Sequence, residues 1–374
     1  MGNIARRPDG KWRARYRDPS GREWSKHFDR KADAQRWLGQ VELSKARGEW
    51  IDPASGRITF AEWAPTWLAT KASRKAKTQL SYESVLRTRV LPRWGSVRLT
   101  DISHAEVVRW QSELATEVGP SLTRLALAVL SQALKLAVRD GRLSRNVLEG
   151  VAQPRQPRGR QRFLSHDEVR RLADECDAPY DTLILFLAYT GLRFGELAAL
   201  RVSDLGFARR RVHVGANLVE VSGRLHQDSP KSHRARSVPV PRFLLAALRR
   251  QVEGRRPDDL LFTTAAGTPL RNSNFRHHVF DSAAKRAGLQ PLTPHDLRDT
   301  AASLAVAAGA NVKAVQRMLG HASAAMTLDI YAGLFDDDLD AVADRLDEAV
   351  MRRNADSVRT RADRSPGAAP GQRL

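Results

Sequence analysis

Between Lys11 and Arg17 the chain alternates strictly, with Trp12, Ala14 and Tyr16 on one side and Lys11, Arg13, Arg15 and Arg17 on the other. That period of two predicts a half-buried strand with a basic outer face. Asp18-Pro19-Ser20-Gly21 carries turn chemistry, and Trp24, Lys26 and Phe28 then alternate against Glu23, Ser25 and His27, so the two runs read as a hairpin. From Lys31 the period lengthens. Ala34, Trp37, Leu38 and Val41 recur at helical spacing and can cover the hairpin's aromatic face.

From about residue 58 to 151 the pattern is helical throughout: Phe60 to Leu68, Tyr82 to Leu91, Ala105 to Glu117 and Ser121 to Arg139, with no strand signal between them. Pro120-Ser121 starts the last of these, and Leu125, Ala128, Leu130, Ala133, Leu134 and Ala137 are its expected apolar stripe. Pro154, Pro157 and Gly159, interleaved with Arg155, Arg158, Arg160 and Arg162, break the pattern and predict a stiff, basic linker over 154–162 that could cross a duplex backbone. Ser165-His166-Asp167-Glu168 then has the form of a capping box. Leu183 to Leu200 is apolar and helical, broken at Thr190-Gly191. Alternation at Val212, Val214, Val238 and Val240 predicts a small antiparallel sheet, and the chain is helical again to about Val350. Leu339, Val342, Leu346 and Val350 would give an amphipathic helix with Asp340, Asp344 and Asp347 on its polar face, able to dock on a neighbouring protomer or on its own domain. Residues 351–374, with Arg352, Arg353, Arg359, Arg361 and Arg364, read as a basic disordered tail.

The charge balance narrows the partner. Of 374 residues, 62 are Lys or Arg and 42 Asp or Glu, a formal net charge of +20, and the first fifty alone hold 13 basic and 7 acidic residues. At 42% hydrophobic the chain is expected to fold, in two or three domains, and the surplus points to a polyanion. The single cysteine, Cys176, makes no internal disulfide and no Cys/His cluster offers a zinc site, so a reducing compartment is expected. No apolar run is expected to reach the ~20 residues that span a bilayer, and Met1 to Gly10 lacks a signal peptide's apolar core; a cytosolic location follows as an expectation.

Three segments of the last domain carry cations or imidazoles where burial should discourage them: Thr190-Gly191-Leu192-Arg193-Phe194-Gly195-Glu196, Pro294-His295-Asp296-Leu297-Arg298-Asp299-Thr300, and Leu319-Gly320-His321 followed ten residues on by Tyr331. Thr293 is expected to cap a helix whose first residue is Pro294, placing His295 and Arg298 on one face at its N-terminus. Such an end favours an anion and disfavours imidazolium, so a phosphate there would meet a neutral His295 and the Arg298 fork. Arg193 could supply a second planar fork to the same phosphate, and Glu196 is expected to pair with an arginine nearby.

Across the whole chain, these residues, in this order and spacing, resemble the tyrosine recombinases of phages and mobile elements. The resemblance implies that Arg193 and Arg298 clamp a scissile phosphate, that Tyr331 is the nucleophile, and that His295 and His321 complete the phosphate-binding and proton-transfer set. Lys231, in Ser229-Pro230-Lys231-Ser232, stands where the family's hairpin lysine does and would protonate the leaving 5′ oxygen. Asp299 stands where many relatives have histidine. Two arginines would take the place of a metal, and neighbouring cations are expected to ease loss of the phenolic proton, so no cofactor, metal or ATP is called for. Singly, each residue has an ordinary reading: an ion-pair arginine, a capping or turn histidine, a core tyrosine, a solvated lysine. The set in one domain of a basic chain is what points to chemistry.

The expected architecture is a multidomain α+β chain. It comprises an arm-type DNA-binding sheet and helix (1–55), an all-α core-binding domain (56–153), the basic linker, a mainly α catalytic domain with a small antiparallel sheet (163–350), and the tail (351–374). Lys11, Arg13, Arg15, Arg17, Arg155, Arg158 and Arg160 are the candidate DNA-contacting residues. The resemblance further implies double-stranded attachment sites as the partner, a homotetramer on two synapsed sites, a host bending protein and an excision factor as further partners, and a nucleoid-associated cytoplasmic protein. The rivals are a chromosome-dimer or plasmid resolvase, which usually starts directly at the helical domain, a non-catalytic DNA-binding relative, which should lack site residues, and a type IB topoisomerase, which needs no arm-binding sheet.

Overall fold

The alternation near the N-terminus becomes a three-stranded antiparallel sheet, β1 (Asn3–Arg6), β2 (Trp12–Arg17) and β3 (Glu23–Phe28), in the order β1-β2-β3. The computed structural model describes residues 2–19, 21–46, 52, 55–155, 162–228, 235–331, 346–348 and 350–351. Its Cα positions divide into two units, Met1–Arg158 and Gly159–Leu374.

Register gives the sheet two unlike faces. Trp12 pairs with Phe28 and Tyr16 with Trp24, while on the other face Arg13 pairs with Ala5 and His27, and Arg15 with Asn3 and Ser25. Helix α1 (Lys31–Ala46) covers the aromatic face through Trp37, whose ring lies 5.6 Å from both Tyr16 and Phe28. Arg13, Arg15 and Arg17 are thereby left on the uncovered face. Strand β1 was not legible in the pattern, since four residues with one apolar pair carry almost no periodicity.

The rest of the first unit is helical: α2 (Phe60–Ala69), α3 (Ala76–Val85), a π turn over Leu86–Val90, α4 (Leu91–Trp94), α5 (His104–Val118) and α6 (Pro120–Arg139). Thr59 and Glu62 close a capping box on α2, and Trp63 donates its indole N–H to the Ala133 carbonyl at 2.9 Å, tying α2 to α6. The buried stripe of α6 runs through Ala126, Leu127, Leu130, Ala133, Leu134 and Ala137, not through Leu125 and Ala128. At its N-terminal end Thr123, Ala126 and Leu127 are fully buried, while Leu122 and Leu125 pack against the core only in part. Contrary to expectation, α6 is long and apolar enough to span a bilayer by length and composition; here that apolarity lies against Phe60, Trp67 and Trp94 in one hydrophobic core.

The second unit runs α7 (His166–Asp174), α8 (Tyr180–Thr190), α9 (Phe194–Ala198), five strands, then α10 (Leu245–Val252), α11 (Asn272–Phe275), a π turn over Arg276–Phe280, α12 (Asp281–Arg286), α13 (Asp296–Ala307), α14 (Val312–Leu319) and α15 (Ala324–Tyr331). The expected capping box stands, with Ser165 and Glu168 satisfying each other's backbone N–H. Strands β4 (Leu205–Gly206), β5 (Arg211–Val214) and β8 (Arg236–Pro239) form one antiparallel sheet, pairing Val212 with Val238 as the alternation predicted. Between them β6 (Asn217–Val221) and β7 (Arg224–Asp228) make a separate hairpin that the alternation did not reveal. Helix α8 is buried on nearly every side among α7, α13 and the sheet. Arg162, read as a linker cation, is fixed in this unit by donating to the Leu289 carbonyl at 2.8 Å and pairing with Glu168. Of the C-terminal amphipathic pattern, Leu346, Asp347 and Val350 are exposed and helical, whereas Leu339, Asp340, Val342 and Asp344 lie outside the described residues, as does the tail beyond Met351.

Candidate active site

Helix α8 ends at Thr190 because Gly191 adopts a left-handed conformation (φ +64°), where a side chain would be strained; a Cβ there would also come within 2.7 Å of Leu319 Cδ2. The reversal sets Arg193 at the cap of α9. Its backbone N–H donates to Glu196 Oε2 and its Nη1 to Oε1, both at 2.9 Å, leaving the side chain 25% exposed. Glu196 is fully buried and is shared. Arg236 on β8 meets the same carboxylate in a fork, Nη1 to Oε1 at 2.9 Å and Nη2 to Oε2 at 2.7 Å, and sends Nε to the Met318 carbonyl at 2.9 Å. Burial alone would push the Glu196 carboxyl up; the hydrogen bonds and charge of Arg236, with those of Arg193, outweigh it and hold the group below the usual carboxylate range.

Arg298, one turn into α13 and only 2% exposed, donates Nη1 to the Gly191 carbonyl at 2.5 Å and Nη2 to the Leu319 carbonyl at 2.6 Å. One guanidinium thus joins the end of α8 to the end of α14. Burial and the nearby Arg193 charge push its proton affinity down to about 10, against the pull of Glu196. Three guanidinium groups, those of Arg193, Arg236 and Arg298, therefore stand within electrostatic reach of one another, and among the described residues Glu196 is the carboxylate bonded to two of them. The cluster carries an excess of positive charge in a water-poor place, which an anion such as phosphate would relieve.

Gly320, again left-handed (φ +69°), ends α14 and turns the chain so that His321 follows. A Cβ on Gly320 would stand 3.0 Å from the Arg236 side chain, so glycine is what lets the arginine pass beneath this turn. The His321 imidazole bonds Thr327 Oγ1 at 3.0 Å through Nδ1. It is pushed down to about 4 by burial and by the charges of Arg298, Arg193 and Arg236, so it is neutral at pH 7. Its ring plane is parallel to that of Tyr331, with centroids 6.4 Å apart. Tyr331 is the last described residue of α15, and Phe163 also meets its ring. Burial, then its bond to Asp299, hold the phenol well above its ordinary value. Arg298 opposes this without prevailing, so in the free protein the phenol keeps its proton.

The expected helix start is also corrected. Helix α13 begins at Asp296 with His295 as its capping residue; Thr293 accepts the Asp296 N–H through its carbonyl at 3.0 Å, and its own N–H and hydroxyl donate to Asp296 Oδ2 at 2.6 and 2.8 Å. His295 is exposed, three residues before Arg298, and close enough to His321 to repel its proton.

The second unit thus brings together Arg193, His295, Arg298, His321 and Tyr331. Lys231, Arg158 and Arg160 lie outside the described residues. Arg155 is exposed; Lys11, Arg13, Arg15 and Arg17 belong to the first unit, where Lys11 precedes β2, Arg17 is exposed and Arg15 pairs with Glu23 at 3.4 Å. Two participants were not singled out from sequence. Arg236 shares its strand face with Val238, and a cation on the buried phase of a period-two run was a usable signal. Asp299, beside Arg298, had only its departure from the pattern of relatives to mark it.

Comparison with known proteins agrees with this geometry. The phage integrase family model matches residues 162–337, the N-terminal domain of phage integrases matches 1–47, and their N-terminal SAM-like domain matches 59–115, together about three quarters of the chain. The chain belongs to the phage integrase family. Within that family it is 29% identical over 345 residues to the prophage phiRv2 integrase of Mycobacterium tuberculosis, covering 88% of this chain and 90% of that protein. It is also 29% identical to the integrase of Mycobacterium phage D29, covering 87% and 91%. Among solved structures the fold matches the Tn1549 transposon integrase in complex with transposon right end DNA (22% identity, TM-score 0.68, 77% of this chain and 99% of that one). It matches a lambda integrase dimer bound to a core site at TM-score 0.57 (22% identity, 88% and 94%).

Proposed function

We propose that the chain is a site-specific DNA recombinase, an integrase of phage or mobile-element type, that cleaves and rejoins strands through a 3′-phosphotyrosine. The observation that carries this reading is the excess of guanidinium charge formed by Arg193, Arg236 and Arg298 beside the buried hydroxyl of Tyr331. A phosphodiester entering the site would meet the unused N–H groups of Arg193 and Arg298, which neutralise the nonbridging oxygens as charge builds at phosphorus. Tyr331 attacks the phosphorus and the 5′ oxygen leaves. Lys231 is the proposed donor to that oxygen, and His295 and the neutral His321 complete the phosphate and proton contacts. The covalent bond conserves the energy of the phosphodiester, so a second 5′-hydroxyl reverses the step without ATP.

In this reading the sheet and helix of residues 1–55 bind an arm-type sequence through Arg13, Arg15 and Arg17, residues 56–153 bind the core site, and the linker with Arg155, Arg158 and Arg160 follows the backbone between the core-binding and catalytic (163–350) parts. Attachment-site DNA is the partner. A lambda integrase of similar fold has been solved as a tetramer bound to a Holliday junction, and the same assembly is proposed here, in the cytoplasm on the nucleoid. Coverage favours integrase over resolvase. The XerD recombinase of Listeria monocytogenes aligns with 70% of this chain, against 88% for the mycobacterial prophage integrase.

The test is a nicked suicide substrate, which traps the covalent step. Wild-type protein should give a denaturant-resistant protein–DNA adduct and Tyr331→Phe none, with DNA binding unchanged in a gel shift. An adduct formed by Tyr331→Phe would refute the assignment.

A further inference from the structure

The Tyr331 hydroxyl is committed to one partner: it donates to Asp299 Oδ1 at 2.6 Å, from a side chain 1% exposed to a carboxylate residue 9% exposed. Asp299 follows Arg298 directly on α13, so the helix that supplies the phosphate-binding guanidinium also supplies the acceptor for the phenol. The other base in reach of the ring, His321, lies parallel to it at 6.4 Å and has Nδ1 engaged with Thr327, an arrangement that does not take the phenolic proton.

We propose that Asp299 is the general base for Tyr331, accepting the phenolic proton as the phenol attacks phosphorus, an inference that rests on Tyr331 being the nucleophile. In the forward step the Oη–H bond breaks and the proton passes to Asp299 Oδ1, while the Oη–P bond forms and the P–O5′ bond breaks, the 5′ oxygen taking a proton from the acid on its own side. In rejoining, a DNA 5′-hydroxyl gives its proton back to the acid on its own side as the O5′–P bond forms and the Oη–P bond breaks, and Asp299 returns the proton to Oη. The transfer exchanges one buried anion for another, carboxylate for phenolate, so it creates no new charge in the water-poor interior. The negative charge then moves onto the phosphoryl oxygens, where Arg193 and Arg298 stand. A free phenol held by burial and by a neighbouring carboxylate keeps its proton, so the nucleophile stays inert until a phosphate draws that charge away.

The charged and titratable groups around the pair are Arg298 and His295 on and capping α13, His321 beyond α14, Arg193 and Glu196 at α9, and Arg236 on β8. Any of them can shape a pH profile, so the test compares variants. Full-length wild type, Asp299→Asn and Tyr331→Phe are run in single turnover on the suicide substrate across acid to neutral pH, with a parallel substrate whose bridging 5′ oxygen is sulfur and leaves without a proton. Asparagine keeps the size and the accepting oxygen while losing the ability to take the proton. The expected result is a loss of about 10²–10⁴-fold in cleavage for Asp299→Asn with unchanged gel-shift affinity, no rescue by the sulfur substrate, and disappearance of the acid limb seen in wild type. Wild-type cleavage by Asp299→Asn overturns the proposal. So does rescue by sulfur, which would put Asp299 on the leaving-group side, or survival of the acid limb in a slowed variant, which would reduce Asp299 to holding the ring. An adduct from Tyr331→Phe would instead overturn the nucleophile, and with it the recombinase reading.

Discussion

The guanidinium of Arg236 and the carboxylate of Glu196 meet fork to fork, at 2.9 and 2.7 Å, with Glu196 wholly out of solvent. Because Arg236 also holds the Met318 carbonyl and Glu196 also holds Arg193, this one pair links strand β8, the cap of α9 and the turn that presents His321. The pair fixes where the parts of the proposed phosphate site stand.

Removing one partner should therefore cost more than the pair is worth. Glu196→Ala leaves Arg236 buried and uncompensated, a loss expected at about 3–5 kcal/mol. Glu196→Gln, which can still accept from one fork, should lose less. Urea unfolding of the catalytic transition measures both, and an Ala variant as stable as wild type would show that solvent reaches Arg236. The pH dependence has a definite sign. The Glu196 carboxyl is held below its ordinary value in the folded chain, so its stabilisation is complete above the ordinary carboxylate range and is lost as pH falls through the lowered value. Glu196→Gln should flatten that part of the acid-unfolding curve.

Arg298→Lys keeps a charge and loses the fork. With the carbonyls of Gly191 and Leu319 satisfied, a lysine's three N–H donors leave at most one for a phosphate, where the guanidinium keeps three. Cleavage should fall about 10²–10³-fold while core-site binding changes little. Equal cleavage by the Lys variant would mean that a point charge suffices.

How far the residue pattern reaches can be judged at this site. Arg193, Arg298, His321 and Tyr331 come together in the second unit; Gly191 and Gly320 are legible helix ends just before Arg193 and His321, whereas the helix carrying Arg298 starts at Asp296, not at the expected Thr293-Pro294. The partners that hold them were harder to see. Glu196 was expected to pair with an arginine, but that the arginine would be Arg236, forty residues away on a strand, depends on β8 pairing with β5 across an intervening hairpin, and strand register is a non-local property. The β6–β7 hairpin escaped because β6 is half-buried on both faces and β7 is mostly exposed, so neither strand buries one face alone. Tyr331 was expected to sit among cations; its contact with Asp299 required two helices to meet, which no local pattern encodes.

His321 predicts a second acid effect. Burial and three guanidinium charges push its imidazole down to about 4, against an ordinary value of 6.5. Between those values the unfolded chain binds a proton that the folded chain does not, so stability must fall as pH drops from about 6.5 towards 4. His321→Gln should remove that slope, read as the pH dependence of the urea midpoint. An unchanged slope would mean that His321 is protonated in the folded protein.

The last prediction concerns the first unit. The sheet presents Arg13, Arg15 and Arg17 on the face that α1 does not cover, while the residues around Tyr331 belong wholly to the second unit. Deleting residues 1–55 should leave cleavage of an isolated core site intact, because no group of the proposed chemistry is removed. Integration should fail, because the deletion takes away the link that raises the local concentration of the catalytic part at the crossover. Gel shifts on separate arm and core fragments should show arm binding lost and core binding kept. In the intact protein arm binding should weaken steeply with salt, as several neutralised phosphates require. Efficient integration by the truncated chain would assign the sheet a structural role and favour the resolvase reading. Loss of cleavage on isolated core DNA would show instead that the sheet supports the folding of the helices that follow it.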